Sequence, residues 1–75
     1  MKLASVKFKE FTNYLCNKKG FKHTSTNGDH YVYKKLDKMV VIPYRNVIAE
    51  QPLRVYLKNA GIERDEFFEE WYSKN

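Results

Sequence analysis

A single cysteine, Cys16, occurs in the 75 residues. One thiol cannot close an intramolecular disulfide, and it leaves no Cys–Cys or Cys–His spacing for a structural zinc, so neither staple is available to so short a chain. Long apolar runs are also missing: nothing approaches the ~20 residues that cross a bilayer. Met1-Lys2-Leu3-Ala4 leads into Lys7 and Lys9 rather than an apolar stretch, so no secretory leader is expected and the expected compartment is the cytoplasm. Glycine and proline are scarce, at three and two. No low-complexity segment or internal repeat is present. Acidic residues are scarce over most of the length. Residues 1–61 carry twelve Lys and Arg against Glu10, Asp29, Asp37 and Glu50, a net +8, whereas residues 62–75 carry five acids against Arg64 and Lys74, a net −3.

What is present is apolar and aromatic. Hydrophobic residues make up 43% and aromatics 16% of the chain, too much for a disordered segment. A domain of this size buries only about 60–65% of the surface of its unfolded chain. Any chemistry must therefore use few residues on an open surface. A basic body with an acidic end suggests an anionic partner for the body, nucleic acid foremost; lysines on a merely solvated face would give the same count.

Ser5 is placed to cap a first helix whose apolar face is Phe8, Phe11 and Leu15, at helical spacing, with Val6 and Tyr14 beside it. Gly20 should end that helix in the left-handed conformation, with Phe21 folding back. Lys22 to Thr26 reads as a strand, Asn27-Gly28 as a hairpin turn, and His30 to Lys34 as a second strand with Tyr31 and Tyr33 on one face and His30, Val32 and Lys34 on the other. Asp37-Lys38 makes a second turn, Met39 to Ile42 a third strand, and Pro43 ends it. Residues 44–50 form a connection of no clear type. Pro52 suits the first turn of a helix with Leu53, Leu57 and Ala60 inward, stopped by Gly61. Asp65 to Tyr72 reads as a short last helix carrying Phe67, Phe68 and Trp71. The expected fold is α+β: α-β-β-β-α with a three-stranded antiparallel sheet, both main helices on one face, and a short extra C-terminal helix. That order is the one found in double-stranded-RNA-binding domains, which read RNA by shape and backbone charge.

Ser5, Gly20-Phe21, Gly28-Asp29-His30, Val40-Val41-Ile42-Pro43 and the run from Leu53 to Ile62 stand in an order and spacing that resembles the HicA family of mRNA-interferase toxins. The likeness covers residues 5–62 of a single domain and leaves 63–75 as an extension. Asp29 stands where the family usually has Ser, Tyr44-Arg45 replaces a stretch that often bears histidine, and Glu50-Gln51-Pro52 replaces the common Pro-Gly-Thr entry to the last helix. The resemblance implies an endoribonuclease, the toxin of a type II toxin–antitoxin pair, with His30 as the catalytic residue, mRNA as substrate and a HicB-like antitoxin as protein partner.

The residues agree with that chemistry. Cleavage of RNA requires a base for the 2′-hydroxyl and an acid for the leaving 5′-oxygen, and imidazole titrates near neutrality and serves as either. Gly28 lets backbone approach a phosphate. Asp29 would either raise the basicity of His30 or repel phosphate. Lys22, Lys34, Lys35, Lys38, Arg45 and Arg54 are the candidate phosphate contacts. His23 would be either a second acid/base group across the hairpin or a polar strand residue. Two histidines with no cysteine or carboxylate cluster beside them imply no metal, and no cofactor is expected. Two other classes remain open: a non-catalytic RNA-binding or protein-docking module of the same fold, in which His30 is a surface residue, and an interaction protein whose exposed Phe67, Phe68 or Trp71 mediates self-association.

Overall fold

A computed structural model of the chain describes residues 2–72. In chain order the elements are β1 (Val6–Lys7), α1 (Phe8–Asn17), β2 (Lys22–Asn27), β3 (His30–Lys35), β4 (Lys38–Pro43), β5 (Val47–Ile48), α2 (Glu50–Ala60) and α3 (Arg64–Tyr72). β2, β3 and β4 form an antiparallel meander, and β1 and β5 form a separate two-stranded pair. The α+β architecture with a three-stranded antiparallel sheet and a last short helix is the one expected from the sequence. None of the helices among the described residues is long and apolar enough to cross a membrane.

The start of α1 differs from expectation. Ser5 does not cap it; the N-cap is Lys7, in extended conformation and with no side-chain cap bond. Val6 and Lys7 are instead drawn into pairing with Ile48 and Val47. The amide of Phe8 donates to Asn46 O at 3.1 Å, so a distant loop satisfies a donor that a capping hydroxyl would have taken. Tertiary pairing thus overrides a local cap signal worth only about 1 kcal/mol.

Both hairpin turns fall one residue away from where the sequence suggested. The first is Gly28-Asp29, closed by the pair Asn27 and His30. Positive φ is confined to its first central residue, Gly28 at 62°, the pattern of a type II′ rather than an Asn-Gly turn. The second is Leu36-Asp37, closed by Lys35 and Lys38, and Leu36 takes φ 54° without being glycine. The helix ends match expectation. Gly20 is left-handed and the buried Phe21 donates its amide to Leu15 O at 2.9 Å. Gly61 is left-handed, and bonds from Gly61 to Lys58 O and from Ile62 to Leu57 O close a Schellman motif, with Ile62 and Leu57 both buried.

One core joins all layers. Phe8, Phe11, Tyr14 and Leu15 of α1, Leu53, Leu57 and Ala60 of α2, and Tyr33, Val40 and Ile42 of the sheet belong to it. Because Tyr33 pairs with Val40 and Tyr31 with Ile42, these residues share one face of the sheet, and the helices cover that face. The opposite face, carrying Lys22, His30, Val32, Lys34, Met39 and Val41, has no helix over it among the described residues, and Met39 and Val41 are exposed there.

α3 is part of the core rather than an appendage. Phe67 and Trp71 are buried, and Phe67 lies 5.4 Å from the Tyr14 ring and 6.2 Å from the Phe11 ring, centroid to centroid. The self-association reading therefore loses its anchor: Phe67 and Trp71 face inward and Phe68 is half-buried against the same cluster. Polar contacts complete the attachment. Tyr14 Oη donates to Glu70 Oε1 at 2.8 Å, and the nearly buried Lys19 ammonium meets Glu66 and, at 3.0 Å, Glu70. The hydrogen bond from Lys19 leads the causes that hold both carboxylates below the usual glutamate range. Burial lowers the Lys19 pKa, but the two carboxylates outweigh it and the net displacement is upward. The acidic end of the sequence is in part the counter-charge of Lys19, just past the end of α1.

Candidate functional site

His30 is the first residue of β3. Since Tyr31 and Tyr33 point toward the helices, strand alternation sends His30 to the uncovered face, and its side chain is 54% exposed. Nδ1 lies 3.0 Å from Asp29 Oδ1, itself 70% exposed. With Nδ1–H donated to that carboxylate, the imidazole presents the Nε2 lone pair to solvent. The turn is fixed from behind: Tyr44 N donates to Asp29 O at 2.6 Å, and Pro43 is the cross-strand partner of His30. Tyr44 in turn packs edge-on to Phe8 at 4.9 Å and donates from its hydroxyl to Asn46 Oδ1. Gly28-Asp29-His30 and Pro43-Tyr44-Arg45, 13 or more residues apart in sequence, therefore form one continuous surface. Gly28 is needed here for its positive φ and not for lack of space, because a Cβ would meet nothing within 4 Å.

The seven residues proposed from sequence to contact RNA do not form one patch. Gly28 and Arg45 share the His30 end of the sheet. Lys22 and Lys34 are cross-strand partners on the same open face, four residues further along β3, or roughly 13 Å at about 3.3 Å per residue. Lys35 and Lys38 close the opposite end of the sheet, roughly 17 Å away on the same rise. Each of these two lies over a glycine that ends a helix. Lys35 carries its Nζ to 5.8 Å from the Phe21 ring centre and its Cε against Gly20. Lys38 lies so close to Gly61 that a Cβ there would run into its aliphatic carbons. Both ammoniums thus sit near the negative ends of α1 and α2, a position that favours cations whatever else they do. Arg54 is on α2, across the sheet from His30, and its Nε and Nη2 bond Glu50 Oε2 at 3.2 and 2.9 Å. Arg45 has no carboxylate partner among the described residues.

The two histidines do not form a pair. A bulge between His23 and Ser25 keeps His23 and Thr26 on the helix-covered face, where His23 stacks on Tyr31 and lies against Tyr33, both at 5.2 Å, and its Nε2 contacts Thr26 Oγ1 at 2.7 Å. His30 points to the other face, so an acid/base couple across the hairpin is excluded. Tyr33 is buried, and burial pushes its hydroxyl pKa up. Tyr31 is held among Phe8, Tyr44 and His23. Neither ring is presented as a stacking platform. Burial likewise raises the pKa of the half-buried Cys16 thiol. Among the described residues no group of three or more His, Cys, Asp or Glu is placed to hold a metal ion.

One feature escaped sequence reading entirely. The unassigned stretch 44–50 contains β5 and, with the start of α2, encloses a cleft lined by Pro43, Arg45, Val47, Ile48, Ala49, Pro52 and Tyr56. Its only trace in the sequence is the apolar run Val47-Ile48-Ala49 within that connection. Comparison of this chain with protein-family models, with curated proteins and with solved structures finds no match in any of the three.

Proposed function

We propose that this chain is a metal-independent endoribonuclease of the kind the HicA toxins represent, acting on mRNA in the cytoplasm. The observation that supports it most is the exposed His30 imidazole, oriented through Nδ1 by Asp29 at the tip of a glycine turn. In this reading Nε2 takes the proton of a ribose 2′-hydroxyl, and the resulting oxygen attacks the adjacent phosphorus. The P–O5′ bond breaks, a 2′,3′-cyclic phosphate forms, and the imidazolium returns its proton to the departing 5′-oxygen. Asp29 keeps the ring in the reactive orientation and stabilises the imidazolium. Lys22, Lys34 and Arg45, on the same face or end of the sheet, supply phosphate contacts. The inhibitory partner is a HicB-like antitoxin that is acidic or covers His30.

General acid–base help from one residue is worth about 10²–10⁴-fold. His30→Ala should slow cleavage of RNA by that factor while leaving the circular dichroism spectrum and RNA affinity near those of the wild type. A chelator should have no effect, and RNA methylated at the 2′-oxygen of the cut site should resist. Cleavage by His30→Ala at the wild-type rate, or loss of activity on chelation, would sink this mechanism. The second reading, a non-catalytic RNA-binding module, draws on the dispersal of the cations away from His30. It is distinguished by RNA binding at low salt with no cleavage by either protein.

A further inference from the structure

The cleft between the end of β4, β5 and the start of α2 has a volume of about 320 Å³. That is at the small end of the range of ligand sites, room for one nucleotide-sized group and not for a helix or a duplex. Its lining combines three kinds of surface. Val47, Ile48, Pro43 and Pro52 supply apolar walls, Tyr56 supplies an aromatic ring, and Arg45 supplies the guanidinium. Tyr56 is half-buried and packs against the core, so its ring is held in place before any ligand arrives. Burial raises the pKa of its hydroxyl, and the charge of Arg45 in the lining of the same cleft opposes that rise. Arg45 differs from Arg54 in one respect: Glu50 already holds Arg54, whereas no carboxylate among the described residues engages Arg45. Pro43, one wall of the cleft, is the cross-strand partner of His30. Arg45 and Tyr56 are 11 positions apart in the chain and meet only because β5 turns the backbone from the sheet into α2.

A guanidinium fork matches phosphate oxygens bidentately. Every base has a face that stacks on an aromatic ring, whatever its sequence. We propose that this cleft seats a single nucleotide of an RNA strand, its phosphate on Arg45 and its base against Tyr56, so that a neighbouring phosphodiester of the same strand lies at His30. The register between cleft and His30 rests on the ribonuclease reading; occupancy of the cleft by a nucleotide does not.

The test uses the full chain carrying His30→Ala, so that RNA stays intact. Each of the four ribonucleoside 5′-monophosphates, and inorganic phosphate separately, is titrated while backbone amides are followed by NMR. Nucleotides should move the amides of Val47, Ala49 and Tyr56, and phosphate alone should move chiefly Arg45 and its neighbours. With a short single-stranded RNA of mixed sequence, removing the base at one position should weaken binding roughly 5- to 150-fold, as loss of one base–aromatic stack does. That penalty should vanish in Tyr56→Leu, and Arg45→Ala should weaken the intact and abasic oligomers alike. If Tyr56→Leu does not fold, the abasic series on the parent chain still decides the matter. Amide shifts confined to Arg45 for every ligand, with no abasic position costing affinity, would overturn the base seat. Cleavage by the wild type with that negative result would refute the cleft and leave the ribonuclease reading standing. Nucleotide shifts in the cleft with no cleavage by the wild type would do the reverse.

Discussion

Phe67 of α3, close to the end of the described residues, is fully buried. Replacing it with alanine tests whether the last helix is an appendage or part of the core. Phe67 sits between the rings of Phe11, Tyr14 and Trp71, at centroid distances of 6.2, 5.4 and 5.1 Å. Truncating a fully buried Phe costs about 3–5 kcal/mol, transfer and cavity together. A domain of 75 residues has a total stability of about 4–11 kcal/mol, taking roughly 0.05–0.15 kcal/mol per residue. The variant should therefore lose at least about a quarter of its stability, and at the lower end of the range it should unfold. Phe68→Ala is the internal control, since Phe68 is only partly buried and should cost less than half as much. Urea unfolding followed by far-ultraviolet circular dichroism gives both values, with an unchanged m-value showing that stability alone has shifted. A cost below about 1 kcal/mol for Phe67→Ala, or equal costs at 67 and 68, would refute the placement of α3 in the core.

Three further outcomes are expected. Leu36 is 92% exposed and holds φ 54°, so Leu36→Gly removes a strained left-handed residue worth roughly 1–2 kcal/mol and gives back part of it as chain entropy; the melting temperature should rise by a few degrees, and a fall would contradict the strain. Glu66 and Glu70 have pKa values depressed by Lys19, so their contribution is present above the unfolded value of about 4.3 and is lost as pH falls through the lower folded values. Urea midpoints measured from pH 6 down to pH 3 should therefore fall less steeply in Lys19→Met than in the wild type, and equal slopes would show the contact to be inert. If Lys22, Lys34 and Arg45 are the phosphate contacts, three such contacts at about 0.7 each for a single strand give a log–log salt slope near −2; Lys35→Ala should leave that slope unchanged, and a drop of a full contact would return Lys35 to the interface.

The three helices and the β2–β3–β4 meander were legible in the residues because their signals are local, whereas the short strands β1 and β5 were not. Phe8, Phe11 and Leu15 and then Leu53, Leu57 and Ala60 recur at helical spacing, Tyr31 and Tyr33 alternate, and Gly20 and Gly61 occupy left-handed positions that other residues avoid. His30 could be picked out because its residue type and its glycine turn are visible without a fold. Tertiary structure decided what depends on distant partners. Ser5 lost its cap because Ile48, more than forty positions on, pulls Val6 into a strand. The Asn27-Gly28 and Gly28-Asp29 turns are both chemically sound, and the pairing of Asn27 with His30 in the folded sheet selects the second. The bulge at Thr24, which turns His23 toward Tyr31 and away from His30, has no mark in composition. Charge counting could not separate Lys35 and Lys38, laid over the ends of α1 and α2, from Arg45 at the His30 end of the sheet, because a cation has the same sign wherever the chain carries it. The cleft of Arg45 and Tyr56 exists only once β5 has paired with β1, so the sequence determined the kinds of surface available and the long-range pairing determined which of them meet.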